Sequence, residues 1–323
     1  MDEEPYKFGF MYGNIACPTG IHNSHITNRA IIIIGESATR NRMGCYGYKL
    51  PTTPFMSNSE LNWVICTDAK AIAPHTIEAV PFMLTSKHYD DDTTNNMESV
   101  VSIIELLNKS GYRTAHICNQ YVSGNDNVLR RLFAPCEENL FLKSITHNLM
   151  TVDGDLLPII DKRVADNTVN DILFIHLHGS HIFAKDRYPD KQFNVFESTN
   201  GNKHDIGYDN SILYTDYVIE EIRKIALNNQ IDWILYVSDH GESPDSPMPR
   251  DLRSKDTYEI PFCFWFHPEF LKKHSDISEM IVNNRNASFT TDIVYEIICW
   301  LVGLEYEGFP YNRIPFFNTE YKQ

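Results

Sequence analysis

The 323-residue chain contains no run of the roughly 18 to 20 consecutive apolar residues that a membrane span requires. No span is therefore expected within it. Its start, Met1-Asp2-Glu3-Glu4-Pro5, has neither the basic nor the apolar region of a secretory signal. Either the protein is cytoplasmic or the chain is a portion of something larger. Basic residues are outnumbered: 28 Lys and Arg face 43 Asp and Glu, a formal net charge of −15. That deficit disfavours nucleic acid as a partner, because a phosphate backbone selects a basic surface. The seven cysteines (Cys17, Cys45, Cys66, Cys118, Cys136, Cys263, Cys299) include no Cys-x-x-Cys pair, which argues against an all-cysteine zinc site. Cys263 and Cys299 lie in apolar stretches and read as small core residues, while a Cys118–Cys136 disulfide stays open. Repeats, low-complexity tracts and linkers are also missing. A single domain over 1–323 is expected, with 1–28 as an irregular lead-in.

Hydrophobic residues make up 42% of the chain, enough for a sizeable core. Short apolar runs alternate with helical periodicities. Ala30–Ile34, Tyr112–Cys118, Asp171–His178, Ile231–Val237 and Glu259–Phe266 read as strands, with Ile231–Val237 central. Helices are expected over Glu98–Lys109 with Gly111 as its cap, Asp209–Ala226, and Phe289–Val302 ending at Gly303. A short helix starts near Thr76, and Pro81 should kink it or limit it to its opening turn. Residues 119–170 are mixed and polar, with weak helical signals. Strand–helix alternation with long crossovers predicts an α/β fold, a three-layer α/β/α sandwich around a mostly parallel sheet.

The sharpest chemical signal is Ser238-Asp239-His240-Gly241, directly behind the apolar run Trp233–Val237. Asp and His make poor core residues at a strand end but good metal ligands. A second apolar strand ends in Gly35-Glu36-Ser37. Glu36 alone could cap a turn or pair with Arg40. Taken with Asp239 and His240 it fits a divalent ion such as zinc with one position open, at the carboxyl edge of a parallel sheet. Thr76, after Pro74-His75, reads on its own as a helix cap. At a helix start beside a metal, its hydroxyl could instead act as a nucleophile on phosphorus. His176-Leu177-His178-Gly179-Ser180-His181 places three histidines in six residues. His181, in the turn, is the best candidate for a phosphate contact or general acid. His178 reads as a supporting or second-metal group, and His75, His116 and His204 as structural. Glu242 is expected to orient the site. Arg187 should line the same pocket, and Arg250, Arg253 and Lys255 form either a solvated loop or an anion grip.

Taken together these residues resemble the phosphoethanolamine transferases of Gram-negative envelopes, members of the alkaline phosphatase and sulfatase superfamily. The matching stretches are IIIIGESATRNRMGCYGYKLPTTP (31–54), APHTIEAVPFMLT (73–85), FIHLHGSHIFAKDRYPDKQF (174–193), YDNSILYTDYV (208–218), LYVSDHGES (235–243) and YEIPFCFW (258–265), in the family's order. PHTIEA with YEIPF is most similar to the branch acting on lipopolysaccharide core sugars. The resemblance implies zinc held by Glu36, Thr76, Asp239 and His240, with Thr76 as nucleophile. It implies transfer of phosphoethanolamine from phosphatidylethanolamine, through a phosphothreonine, to a lipopolysaccharide acceptor (core sugar or lipid A), with His181 binding the transferred phosphate. It further implies the periplasmic face of the inner membrane. The family's N-terminal membrane helices are missing here, so an excised periplasmic portion is the expected reading. Also missing are the family's close cysteine pairs and a histidine between Ser243 and Ile260, for which Arg250 or Lys255 could substitute in substrate binding. Two other readings stand beside it: a phosphodiesterase- or sulfatase-like hydrolase, and a catalytically silent domain that binds head groups or a partner. A sulfatase proper would need Cys or Ser at position 76 for conversion to formylglycine, which Thr cannot form.

Overall fold

The protein is described by a computed structural model over residues 18–89, 100–121, 128–143, 150–166, 169–197, 206–246, 248 and 250–317. Seven strands form the main sheet: β1 (Arg29–Gly35), β2 (Val64–Cys66), β3 (Arg113–Cys118), β4 (Glu138–Phe141), β5 (Asp171–His176), β6 (Trp233–Ser238) and β7 (Phe262–Phe266). Their order is β2-β7-β6-β1-β5-β3-β4. The pairings from β6 across to β4 are parallel; β7 runs antiparallel to both β6 and β2. The centre of the sheet is β1 rather than the 231–237 run, which lies beside it. All seven residues of β1 are buried, as expected of a strand covered on both faces.

Pleating sorts each strand's side chains by parity. Ala30, Ile32 and Ile34, with Ile172, Phe174, Trp233, Leu235 and Val237, face one core. That core is closed by helices α1 (Thr76–Met83), α2 (Ile103–Lys109), α3 (Val128–Phe133) and α6 (Val294–Val302). Ile31, Ile33, Leu173, Ile175, Ile234 and Tyr236 face the other core, under α4 (Leu157–Val164) and the long α5 (Tyr208–Asn228). This is the expected α/β/α sandwich.

Local differences from the sequence reading have plain causes. Helix α1 continues through Pro81 to Met83. The proline removes one N–H from the ladder, and the buried side chains Ala79 to Met83 hold the turn in place. Strand β4 was not expected; it is a four-residue edge whose exposed Glu138 and Asn139 carry no apolar run. The stretch 289–302 divides: Ser288–Thr290 pairs in parallel with Asp68–Lys70, a 3-10 turn follows, and only then does α6 begin. The start of the helix expected at Glu98 lies outside the described residues, whose α2 begins at Ile103 on an Ser102 cap. Cys118 and Cys136 are free thiols, as are the other described cysteines, so the disulfide alternative falls. Cys263 and Cys299 are buried as expected.

Candidate active site

Parity also builds the site. Glu36 continues the 30-32-34 row of β1, and Asp239 continues the 233-235-237 row of β6. Both therefore emerge on the side where α1 begins. Glu36, Asp239 and His240 are completely or almost completely buried. Thr76, the first residue of α1, is half-buried, and its Oγ1 donates to Glu36 Oε2 at 2.9 Å. The same Oγ1 lies 3.4 Å from His240 Nε2, which is 3.3 Å from Glu36 Oε1 and 3.6 Å from Asp239 Oδ2. The sequence-predicted ligand set thus converges on one point.

The cluster is electrostatically incomplete. Burial raises the pKa of Asp239, and the Glu36 charge adds to that, to about 7. Burial alone would also raise Glu36, but the His240 charge and its hydrogen bond hold that carboxyl well below its usual range. Burial opposes protonation of His240, and the Asp239 and Glu36 charges override it, to about 9. The two carboxylates thus share the His240 imidazolium, and Glu36 has in addition the Arg250 guanidinium at 3.8 Å. Asp239 Oδ2 has no hydrogen-bond partner among the described residues. His240 Nδ1 faces the Gly241 carbonyl at 2.9 Å, which places a proton on that nitrogen and leaves Nε2 as the free ligand atom in the neutral ring. Two buried carboxylates, a bare imidazole nitrogen and a hydroxyl fit a divalent ion of the zinc class.

Several supporting residues escaped the sequence reading. Gln120 Nε2 donates to Glu36 Oε2 at 3.0 Å and to the Leu177 carbonyl at 2.7 Å. Ser37 Oγ donates to Glu36 Oε1 at 2.6 Å. Asp153 accepts from the backbone N–H groups of His178 and Gly179, both at 2.8 Å, and pins the histidine loop to the sheet edge. Gln120 could have been found by extending the β3 row two residues past Cys118. Asp153 carried no local signal, since its partners lie 25 residues away and more.

The histidines part company. Strand β5 ends at His176, so His178 is a loop residue. His178 Nδ1 meets Lys143 Nζ and Arg187 Nη1, the latter at 2.9 Å, rather than the carboxylates. Burial and these two cations drive its pKa down to about 2, so the ring is neutral. His176 is fully buried and within ligand distance of Glu36 and Asp239. His181 feels the Glu36 charge; burial lowers its pKa, and its Nδ1 is without a partner among the described residues. His181, His178, Arg187 and Lys143 line a cleft of about 250 Å³ with Tyr121 and the exposed Phe183. Arg250 reaches to 3.8 Å from Glu36 Oε1. Glu36 does not pair with Arg40, which bonds Asp68 instead. Arg253 pairs with Asp251. Lys255 is exposed, and no contact among the described residues joins its ammonium to the cluster. His116 is buried against Phe133, and His204 lies outside the described residues.

A sheet edge of this kind, with a hydroxyl on a helix start between carboxylates and imidazole, defines a sulfatase-like site. The family model for sulfatases matches residues 29–303, and the chain belongs to the sulfatase family. Within that family it is similar to proteins named phosphoethanolamine transferases: 26% identical over 318 residues to EptC of Escherichia coli K12, covering 91% of this chain and 54% of that one. It is 25% identical over 326 residues to CptA of Salmonella typhimurium, covering 94% and 55%. The chain thus spans about half the length of these curated relatives. Among solved structures, the zinc complex of the C-terminal periplasmic domain of E. coli EptC shares the fold with a TM-score of 0.84 at 23% identity, covering 96% and 92%. The integral membrane EptA of Neisseria meningitidis gives 0.73 at 19%, covering 88% of this chain and 57% of that one. No helix among the described residues is long and apolar enough to cross a membrane.

Proposed function

We propose that this chain is the catalytic domain of a zinc-dependent phosphoethanolamine transferase. The reading rests chiefly on one observation: the Thr76 hydroxyl lies 2.9 Å from a buried carboxylate at the start of α1, inside a ligand cluster short of a cation. Glu36, Asp239, His240 and Thr76 would hold zinc, as the zinc complex of the E. coli EptC domain supports by likeness. When bound, zinc supplies Lewis acidity that lets the threonine hydroxyl ionise near neutral pH.

Thr76 Oγ1 attacks the phosphorus of phosphatidylethanolamine. The bond from phosphorus to the diacylglycerol oxygen breaks, and that oxygen takes a proton from solvent, which balances the one Thr76 lost on ionising. The phosphothreonine then gives its phosphoethanolamine to an acceptor hydroxyl or phosphate, and Thr76 takes back a proton. His181 and Arg250 bracket the phosphate, while Lys143 and Arg187 supply charge at the mouth of the cleft. The Neisseria meningitidis protein is named a lipooligosaccharide phosphoethanolamine transferase and the E. coli EptC domain a periplasmic one, which supports a lipopolysaccharide-type acceptor on the periplasmic side.

Incubation with phosphatidylethanolamine, followed by intact-protein mass and zinc content, tests this. The expected result is zinc near one equivalent or more per chain and a mass gain of one phosphoethanolamine group, absent in Thr76→Ala. Because Thr76 is the attacking group, Thr76→Ala should lose transfer by a factor of about 10⁴ or more. Turnover of that variant at the wild-type rate would remove Thr76 from the chemistry. Diacylglycerol release with free phosphoethanolamine, and no transfer to any acceptor, would instead favour the hydrolase.

A further inference from the structure

Below the carboxylate cluster, on the same face of the sheet, lies a group that the proposed chemistry does not use. Cys118 on β3 is in register with His176 on β5, and His116 sits two residues earlier on β3. Pleating puts all three side chains on one face. Their ligand atoms, two imidazole nitrogens and a sulfur, lie within 4.8 Å of one another, and all three residues are buried. His116 and His176 are at most 1% exposed and Cys118 is fully buried.

Three imidazole nitrogens here are unsatisfied among the described residues, while Cys118 Sγ accepts from the Gln120 backbone N–H at 3.2 Å. His176 has no partner on either nitrogen among the described residues, and His116 Nε2 has none. An orphaned imidazole at this depth is costly unless something binds it. The tautomer of His116 is fixed by a chain of contacts. Asn139 Nδ2 donates to the Phe133 carbonyl at 3.0 Å, so Asn139 Oδ1 is the end facing His116 Nδ1 at 2.8 Å. Nδ1 therefore carries the proton, and Nε2 presents a bare lone pair. The His116 ring is further held by stacking on Phe133 at 3.7 Å. A ring oriented by an oxygen on one nitrogen, with the other free, is the usual preparation of a metal-binding histidine. Burial keeps both rings neutral, with pKa values pushed down to about 3 for His116 and about 4 for His176.

We propose that His116, Cys118 and His176 form a second, buried metal site for a borderline ion of the zinc class, adjoining the Glu36–Thr76–Asp239–His240 cluster, whose Glu36 and Asp239 lie within 4.8 Å of His176. One thiolate and two imidazoles suit zinc, whereas magnesium or calcium would select oxygen ligands. With edges no longer than 4.8 Å, the centre of the ligand triangle is roughly 2.8 Å or less from each atom, so a closure of about 0.5 to 0.8 Å at most reaches bonds of 2.0–2.3 Å. On binding, the Cys118 proton is released to solvent and sulfur coordinates as thiolate. The site would tie β3 to β5 directly under the catalytic edge and fix the His176 ring.

The site stands independently of the transferase reading, because the upper cluster contains no sulfur. X-ray absorption at the zinc edge on the zinc-loaded full chain separates the two. A sulfur scatterer at about 2.3 Å is expected, with a second equivalent of zinc. Cys118→Ser and Cys118→Ala should each lose that scatterer and about one equivalent, with circular dichroism unchanged. His116→Phe, which keeps the stacking on Phe133, should do the same. Asp239→Asn, which weakens the upper cluster, should keep the sulfur signal. A zinc-loaded wild type without a sulfur shell overturns the site, as does a sulfur shell that survives in folded Cys118→Ala. Loss of the upper zinc alone would count against the transferase reading and leave this one standing.

Discussion

At Gly179 the backbone has φ +51°, and a Cβ would fall 2.5 Å from the Glu36 carbonyl oxygen. The loop after β5 therefore touches the ligand strand at a point where no side chain fits. Gly179→Ala should cost about 2 kcal/mol or more and displace Glu36. Thermal melting with zinc content checks this, and a variant equal to wild type in both would deny the contact any role. Gln120→Ala leaves a buried Glu36 oxygen without one donor and should weaken zinc retention several-fold, read by chelator competition. The residues legible in the sequence were those whose type is anomalous where they stand, such as Glu36 and Asp239 behind apolar strands. Gln120, Asp153 and Lys143 were not legible. Each is an ordinary polar residue whose meaning comes from a partner distant in the chain.

A buried ionic contact outside the site joins the segment after α1 to α6. His88, after α1, lies 3.0 Å from Glu296 of α6 and 3.7 Å from Asp292 just before it. Burial opposes the charge on His88, but its bonds to Asp292 and Glu296 outweigh both that and the nearby Arg313, raising its pKa to about 9. A raised histidine adds stability that is present in full below its unfolded value near pH 6.5 and is lost as pH rises through about 9. Denaturant midpoints from pH 6 to 10 should fall across that window, and His88→Ala should make the fall smaller, leaving the part due to His240, while costing about 3 kcal/mol. A wild-type midpoint level across the window would refute the link. Strands with apolar runs were legible as elements. The apolar but three-residue β2, the edge strand β4 and the strand–turn before α6 were not, because their conformation comes from pairing with β7, with β3 and with Asp68–Lys70.

For the whole molecule, alternation of strands and helices was sufficient to read the layered architecture. The order of strands was not readable, since sequence does not say that a run at 29–35 takes the middle position. Amides of Ile31 to Ile34, fully buried between two parallel neighbours, should exchange slowest with solvent, and those of β2 and β4 at the edges fastest. Hydrogen exchange followed by mass spectrometry would show that ranking; slowest exchange at an edge would contradict it.

The parity that carries Glu36 and Asp239 out of their strands also makes chain length part of the chemistry. Adding or deleting one residue between Ile34 and Glu36, or between Val237 and Asp239, would turn a ligand toward the opposite layer while leaving every core side chain in place. Such a protein is expected to fold and, with Glu36 and Asp239 as the proposed zinc ligands, to be inactive. Indels at the amino ends of the same strands, across the sheet from the site, carry no such penalty, so room for insertion in this fold is polarised along the strand axis.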